Sequence, residues 1–74
     1  MSVEDLRQSP MMRHLLDALD EGEDIGHYGR LTFAMTARYF VDNEKLVELL
    51  AKDGDTDEQM ARALVQQIGI RGNS

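Results

Sequence analysis

The sequence predicts an all-α domain: a small bundle of four helices around a central apolar helix, with an extra helical turn at the N-terminus. Three observations predict it. Apolar residues recur at helical spacing in successive segments, and no stretch alternates as a strand does. Capping residues, Pro and Gly punctuate the segments at the places where helices start and stop. And one stretch, from Gly26 to Val41, is apolar on almost every side after Arg30. It holds all four aromatic residues (Tyr28, Phe33, Tyr39, Phe40) and no acid. A helix apolar nearly all round belongs at the centre of a fold.

Taken in order, Ser2 is an N-cap, with Asp5 three residues on as in a capping box, and a short helix from Val3 to about Gln8 follows. Ser9-Pro10 then places Ser at the cap and Pro at the first helical position of a helix from Pro10 to Asp20. Met11, Leu15, Leu16 and Leu19 mark its inward face. Gly22 suits a left-handed C-terminal stop. Asp24 or Glu23 caps the next helix, Ile25 to Phe40, and complements its dipole. Gly26 and Gly29 weaken its first turn by up to about 1 kcal/mol each, which invites a reason such as close approach of another backbone or a ligand. Asp42 or Asn43 caps a helix from Glu44 to Lys52 with Leu46, Val47, Leu49 and Leu50 inward. Thr56 and Gln59 form a capping box that opens the last helix, Asp57 to Ile68, with Met60, Ala61, Leu64, Val65 and Ile68 inward. Gly69 ends it, and residues 70–74 fray. The methionines at 11, 12, 35 and 60 read as core filler.

Seventy-four residues make one small domain, which buries only about 60% of its unfolded surface. The absence of cysteine excludes disulfides, cysteine-ligated zinc and iron–sulfur clusters. No apolar run approaches the roughly 18 residues of a membrane span, and the acidic start, Met1-Ser2-Val3-Glu4-Asp5, is not a signal peptide. The expected location is the cytoplasm. A net charge of −6 opposes non-specific binding to nucleic acid, which needs a basic face. The charge is unevenly spread, however. Acids crowd the segments 4–24 and 42–58, and the helix between them carries His27, Arg30 and Arg38 unopposed.

The start of that helix is the candidate site. His27 and Arg30 are three apart and share a face. Arg30 grips a phosphate bidentately, His27 adds a donor, and unpaired backbone N–H groups of a first turn favour anions. Tyr28 and Gly29 lie between them, Arg13 is a further cation within reach, and Arg38 is the other cation of the helix. The competing reading pairs Arg30 with Glu23 or Asp24 and leaves His27 at the edge of a loop. A metal held by His14 and His27 with Asp17 or Asp20 lacks any tight histidine spacing. The acidic turn at Asp53 departs from a calcium loop in its glycine position and in its missing twelfth-position acid. No nucleophile stands beside either histidine.

The order of these signals resembles a known family. Pro10-Met11-Met12-Arg13, then Leu16, then Gly26-His27-Tyr28-Gly29-Arg30-Leu31, are similar to the C-terminal domain of the archaeal and eukaryotic DNA primase large subunit. The acidic turn Asp55-Thr56-Asp57-Glu58 and the final helix Ala61-Arg62-Ala63-Leu64-Val65-Gln66-Gln67-Ile68 continue it, so that the resemblance covers about residues 9–69. It implies that His27 and Arg30 hold a primer's 5′-triphosphate and nearby single-stranded template. It also implies a catalytic primase or polymerase subunit as partner. The family's iron–sulfur cluster has no counterpart here, Met11 standing where its first cysteine would be, and no cofactor is expected. The resulting expectation is a non-catalytic, primase-associated module that supports primer synthesis. The alternative is an acidic protein-interaction module, a homodimer or the subunit of a hetero-complex, that binds no nucleic acid.

Overall fold

The computed structural model describes residues 2–72, and the side chains of residues 2–69. Five helices follow one another with no strand among the described residues: α1 (Val3–Leu6), α2 (Pro10–Asp20), α3 (Gly26–Ala37), α4 (Asn43–Leu50) and α5 (Glu58–Gly72). The expected small all-α bundle is therefore present. The N-terminal turn is α1, shorter than Val3–Gln8, and its Leu6 is only 1% exposed, so it belongs to the core.

The helix ends follow local chemistry. The Ser2 N–H donates to the Asp5 carboxylate at 3.1 Å. Ser9 Oγ accepts from Met12 N–H at 3.4 Å, with Pro10 at the first helical position, where its missing N–H costs nothing. At the other end of α2, Gly22 adopts φ 71°, which side chains rarely tolerate. Its N–H donates to the Leu19 carbonyl and that of Glu23 to the Ala18 carbonyl, both at 3.0 Å, the paired bonds of a Schellman stop. Asp42 caps α4 by accepting from Lys45 N–H at 2.8 Å.

α4 spans Asn43–Leu50 rather than Glu44 to Lys52, and three further expectations about helix ends shift. α3 ends at Ala37 rather than Phe40, because the chain tightens there: Tyr39 and Phe40 N–H donate to the Thr36 and Ala37 carbonyls, three residues back. The cap of α5 is Asp57, whose Oδ1 accepts from Met60 N–H at 2.8 Å. Thr56 instead donates its hydroxyl to Asp53 at 2.9 Å, so the box with Gln59 does not form. Gly69 does not stop α5. It keeps a helical backbone, only Gly22 and Gly26 having positive φ among the described residues, and the helix runs to Gly72. The fraying expected of residues 70–74 is thus not seen at 70–72; residues 73 and 74 lie outside the described residues.

The core joins all five helices: Leu6, Met12, Leu16, Leu19, Phe33, Ala34, Ala37, Leu46, Val47, Leu49, Leu50, Ala61, Val65 and Ile68. α3 and α4 are the central pair, each packing on α2, on α5 and on each other. The inward residue of α2 is Met12, one turn before Leu16. Met11 lies about 140° round the helix from Leu16 and is 52% exposed. Met35 and Met60 are likewise half exposed, each 49%. Of the four methionines expected in the core, only Met12 is there.

Two loops lock the bundle at one end. Gly54 N–H donates to the Glu23 carbonyl at 3.0 Å, and a Cβ on Gly54 would stand 2.6 Å from the Gly22 carbonyl oxygen. Only a residue with no side chain lets these backbones meet. Gly54→Ala is therefore expected to cost about 2 kcal/mol through overpacking, lowering Tm by roughly 8–16 °C in a domain of this size. Gly69→Ala, in open space on a helix, is the control with the opposite sign: a gain of up to about 1 kcal/mol. Thermal melts followed by circular dichroism check both.

Candidate functional site

The first turn of α3 is an anion site, and the protein's own carboxylates occupy it. Asp24 Oδ1 accepts from Gly26 N–H at 2.8 Å, a two-residue turn that leads the chain into the helix. Asp53, from the loop between α4 and α5, reaches across to accept from Ile25 N–H at 2.8 Å with Oδ1. Its Oδ2 accepts from Arg30 Nη1 at 2.9 Å, from Asp55 N–H at 3.0 Å and from Thr56 Oγ1 at 2.9 Å. Arg30 Nη1 also lies 3.3 Å from Asp24 Oδ1. The Asp53 side chain is fully buried and that of Arg30 only 13% exposed.

Burial alone would push the Asp53 carboxyl up. The hydrogen bonds from Ile25, Asp55 and Thr56, with the charge of Arg30, outweigh it and hold the group below its ordinary value. A buried carboxylate with four donors satisfies the rule that buried charges must be paired and hydrogen-bonded.

The glycines at this end have internal reasons. Gly26 is at φ 80°, and no atom stands near its missing side chain. Gly29 makes room for the Ile25 side chain, whose Cβ would be 3.2 Å from a Cβ at that position. Neither glycine admits a neighbouring backbone. The close approach expected at α3 occurs at Gly54 instead.

The six residues expected to bind together are dispersed. His27 and Arg30 do share a face, and they line an open groove of about 260 Å³ with Thr56, Met60, Ala63, Leu64 and Gln67. Tyr28 is 82% exposed and meets the His27 ring edge-on at 5.9 Å. It points off the outer side of α3. Arg38 sits at the far end of that helix, about 12 Å along its axis from Arg30. There Arg38 Nη1 donates to the Ile68 carbonyl at 2.7 Å, and the guanidinium lies 4.9 Å over the Tyr39 ring. Arg13 is exposed on α2, about 10 Å up that helix from the loop into α3. The arginine's partner proves to be Asp24, as one reading of the sequence had it, together with Asp53, which the sequence reading took for a plain turn residue.

Four other cations are also engaged. Arg7 pairs with Asp17 at 2.9 Å and Asp20 at 3.3 Å, Lys52 with Asp20 at 3.0 Å, and Lys45 with Glu48 at 3.5 Å. Arg62 takes Glu44 in a two-pronged pair at 2.9 and 3.1 Å. Among the described residues no group of three His, Asp or Glu is placed to hold a metal ion, and no helix is long and apolar enough to cross a membrane.

Asp53→Asn removes the charge that Arg30 needs and turns one acceptor into a donor. It is expected to cost about 2–4 kcal/mol at neutral pH. The sign of the pH dependence follows from the depressed carboxyl. Its stabilisation is complete above the unfolded value of 3.8 and is lost as pH falls through the lower folded value. Urea melts at neutral pH and near pH 3 should therefore show the difference between wild type and variant shrinking in acid. A gap that stays constant would refute the role given to this carboxylate.

Comparison with protein-family models, with curated proteins and with solved structures finds no match to the chain. The functional reading therefore rests on the geometry of the chain itself.

Proposed function

We propose that this chain is a non-catalytic protein-interaction module that docks through the outer face of α3. One observation carries the reading. α3 is apolar on two opposite sides, and the bundle uses only one of them. Phe33, Ala34 and Ala37 face inward, each 0% exposed. Tyr28, Thr32 and Met35 fall within an arc of about 60° on the opposite side, and Tyr39 follows in the turn just past the helix end. All four are exposed, Tyr28 by 82% and Tyr39 by 67%. No charged side chain lies within that arc, and the Arg38 guanidinium lies over the Tyr39 ring. A solvated helix face ordinarily carries charge, as the outer faces of α2 and α5 do here with Arg13, Asp17 and Arg62. Exposed aromatic and methionine side chains without charge are the composition of an interface core.

A primase-associated site for a 5′-triphosphate or template at His27 and Arg30 is the second proposal. In its favour, His27 is exposed in the first turn of α3 beside an open groove. It is the weaker of the two, because a phosphate at Arg30 would have to displace Asp53 and approach Asp24. Titration of a 5′-triphosphorylated primer–template into labelled protein at low salt separates them. The interaction reading expects no backbone NMR shifts at 26–30, and shifts there that Arg30→Ala abolishes would favour the primase reading.

Met35 and Met11 give the docking proposal an internal control, being 49% and 52% exposed. In dilute purified protein, peroxide should oxidise them at similar rates. In cell extract, or in purified protein at about 1 mM, Met35 should be protected several-fold relative to Met11, read by peptide mass spectrometry. Equal rates in all of these settings would sink the docking face.

A further inference from the structure

We propose that the occupant of the outer face of α3 is a second copy of the chain, the two α3 helices packing antiparallel about a two-fold axis. This rests on the reading of the chain as an interaction module and names its partner. The stripe Tyr28, Thr32, Met35, Tyr39 is spaced by four, three and four residues, the spacing of alternating d and a positions in a helix–helix seam. A two-fold axis crossing the stripe at its midpoint brings Tyr28 of one copy against Tyr39 of the other, and Thr32 against Met35. Every stripe position then meets a stripe position, as an isologous interface requires. The central contact sets a small side chain opposite a long flexible one.

Charge selects a second copy over a foreign partner. The chain carries −6, and its acids lie in the segments 4–24 and 42–58. A basic partner would seek those carboxylates, and α3 has none. An acidic partner would be repelled by the rest of the body. A neutral apolar stripe on an acidic body is matched by the same stripe on another such body, and none of its four residues is an acid. The contact is small. α3 is about 18 Å long, and its exposed large side chains cover less than the roughly 800 Å² per partner of a standard interface, so the dimer is of the weak, transient class.

Sedimentation equilibrium of the full chain from about 10 µM to about 1 mM, at roughly 20 and 300 mM salt, tests this. The expected result is a monomer that becomes a dimer with concentration, several-fold more tightly at high salt, because salt screens the repulsion between the two acidic bodies. Met35→Arg and Thr32→Glu should each abolish the dimer, with circular dichroism unchanged because both side chains are exposed. Mixing the two variants should restore association, since the antiparallel seam sets Arg against Glu. Four results would overturn the proposal. One is a dimer that weakens with salt, and another a dimer that tolerates Met35→Arg. The third is a mixture that stays monomeric. The fourth is a wild type that stays monomeric throughout; if Met35 is nonetheless protected in extract, another protein occupies the face and the interaction reading stands, whereas an unprotected Met35 removes both.

Discussion

The buried carboxylate of Asp53 ties together parts of the chain that local structure would leave apart. Its four donors come from three places: the backbone at the start of α3, the guanidinium of Arg30 one turn further on, and the loop that enters α5. Beside it Gly54 takes the Glu23 carbonyl, so the loop after α2 and the loop after α4 become one unit. Such a joint matters in a domain this small, whose core alone buries a modest share of its surface. It fixes where α3 begins, and the position of α3 determines which of its two apolar sides meets α4 and α5 and which is left outside.

The same joint decides what the positive end of α3 is for. A helix N-terminus with an arginine in its first turn attracts an anion. Here the anions come from within the chain, from Asp24 and Asp53, and Arg30 is held by both. Charge that would greet a phosphate is already neutralised at short range. What remains exposed around that turn is His27 and Tyr28, the latter the first residue of the stripe that runs along the outer face to Tyr39.

Most of the fold was legible from the sequence because it is written in local rules. Ser9-Pro10, Gly22 and Asp42 start or stop helices by interactions within a few residues, and the inward set of α4 was identified completely. Tertiary context decided the rest. Met11 and Met12 are equally apolar, and only the phase of the buried face, centred on Leu16, separates them. Thr56 had the right spacing for a cap, but Asp53 drew its hydroxyl away and Asp57 took the role. Gly69 looked like a stop, yet a glycine ends a helix only where the chain needs the left-handed region. Asp53 itself left one faint signal: an acid in a glycine turn, in a chain whose acid-free helix start has an arginine to satisfy.

The aromatic helix shows where a reading from composition stops. A helix apolar nearly all round reads as the centre of a fold, because burial is the usual remedy for apolar surface. α2, α4 and α5 cover one side of α3, and none of the described helices packs on the other. The chain had the means to make that side polar, since each of its other long helices carries charge outward. It places Tyr28, Thr32, Met35 and Tyr39 there instead. An apolar side left open, which the chain's own composition could have charged, is what the proposed docking rests on. On a body of net charge −6, the surface that best tolerates that approach is the one with no acid on it.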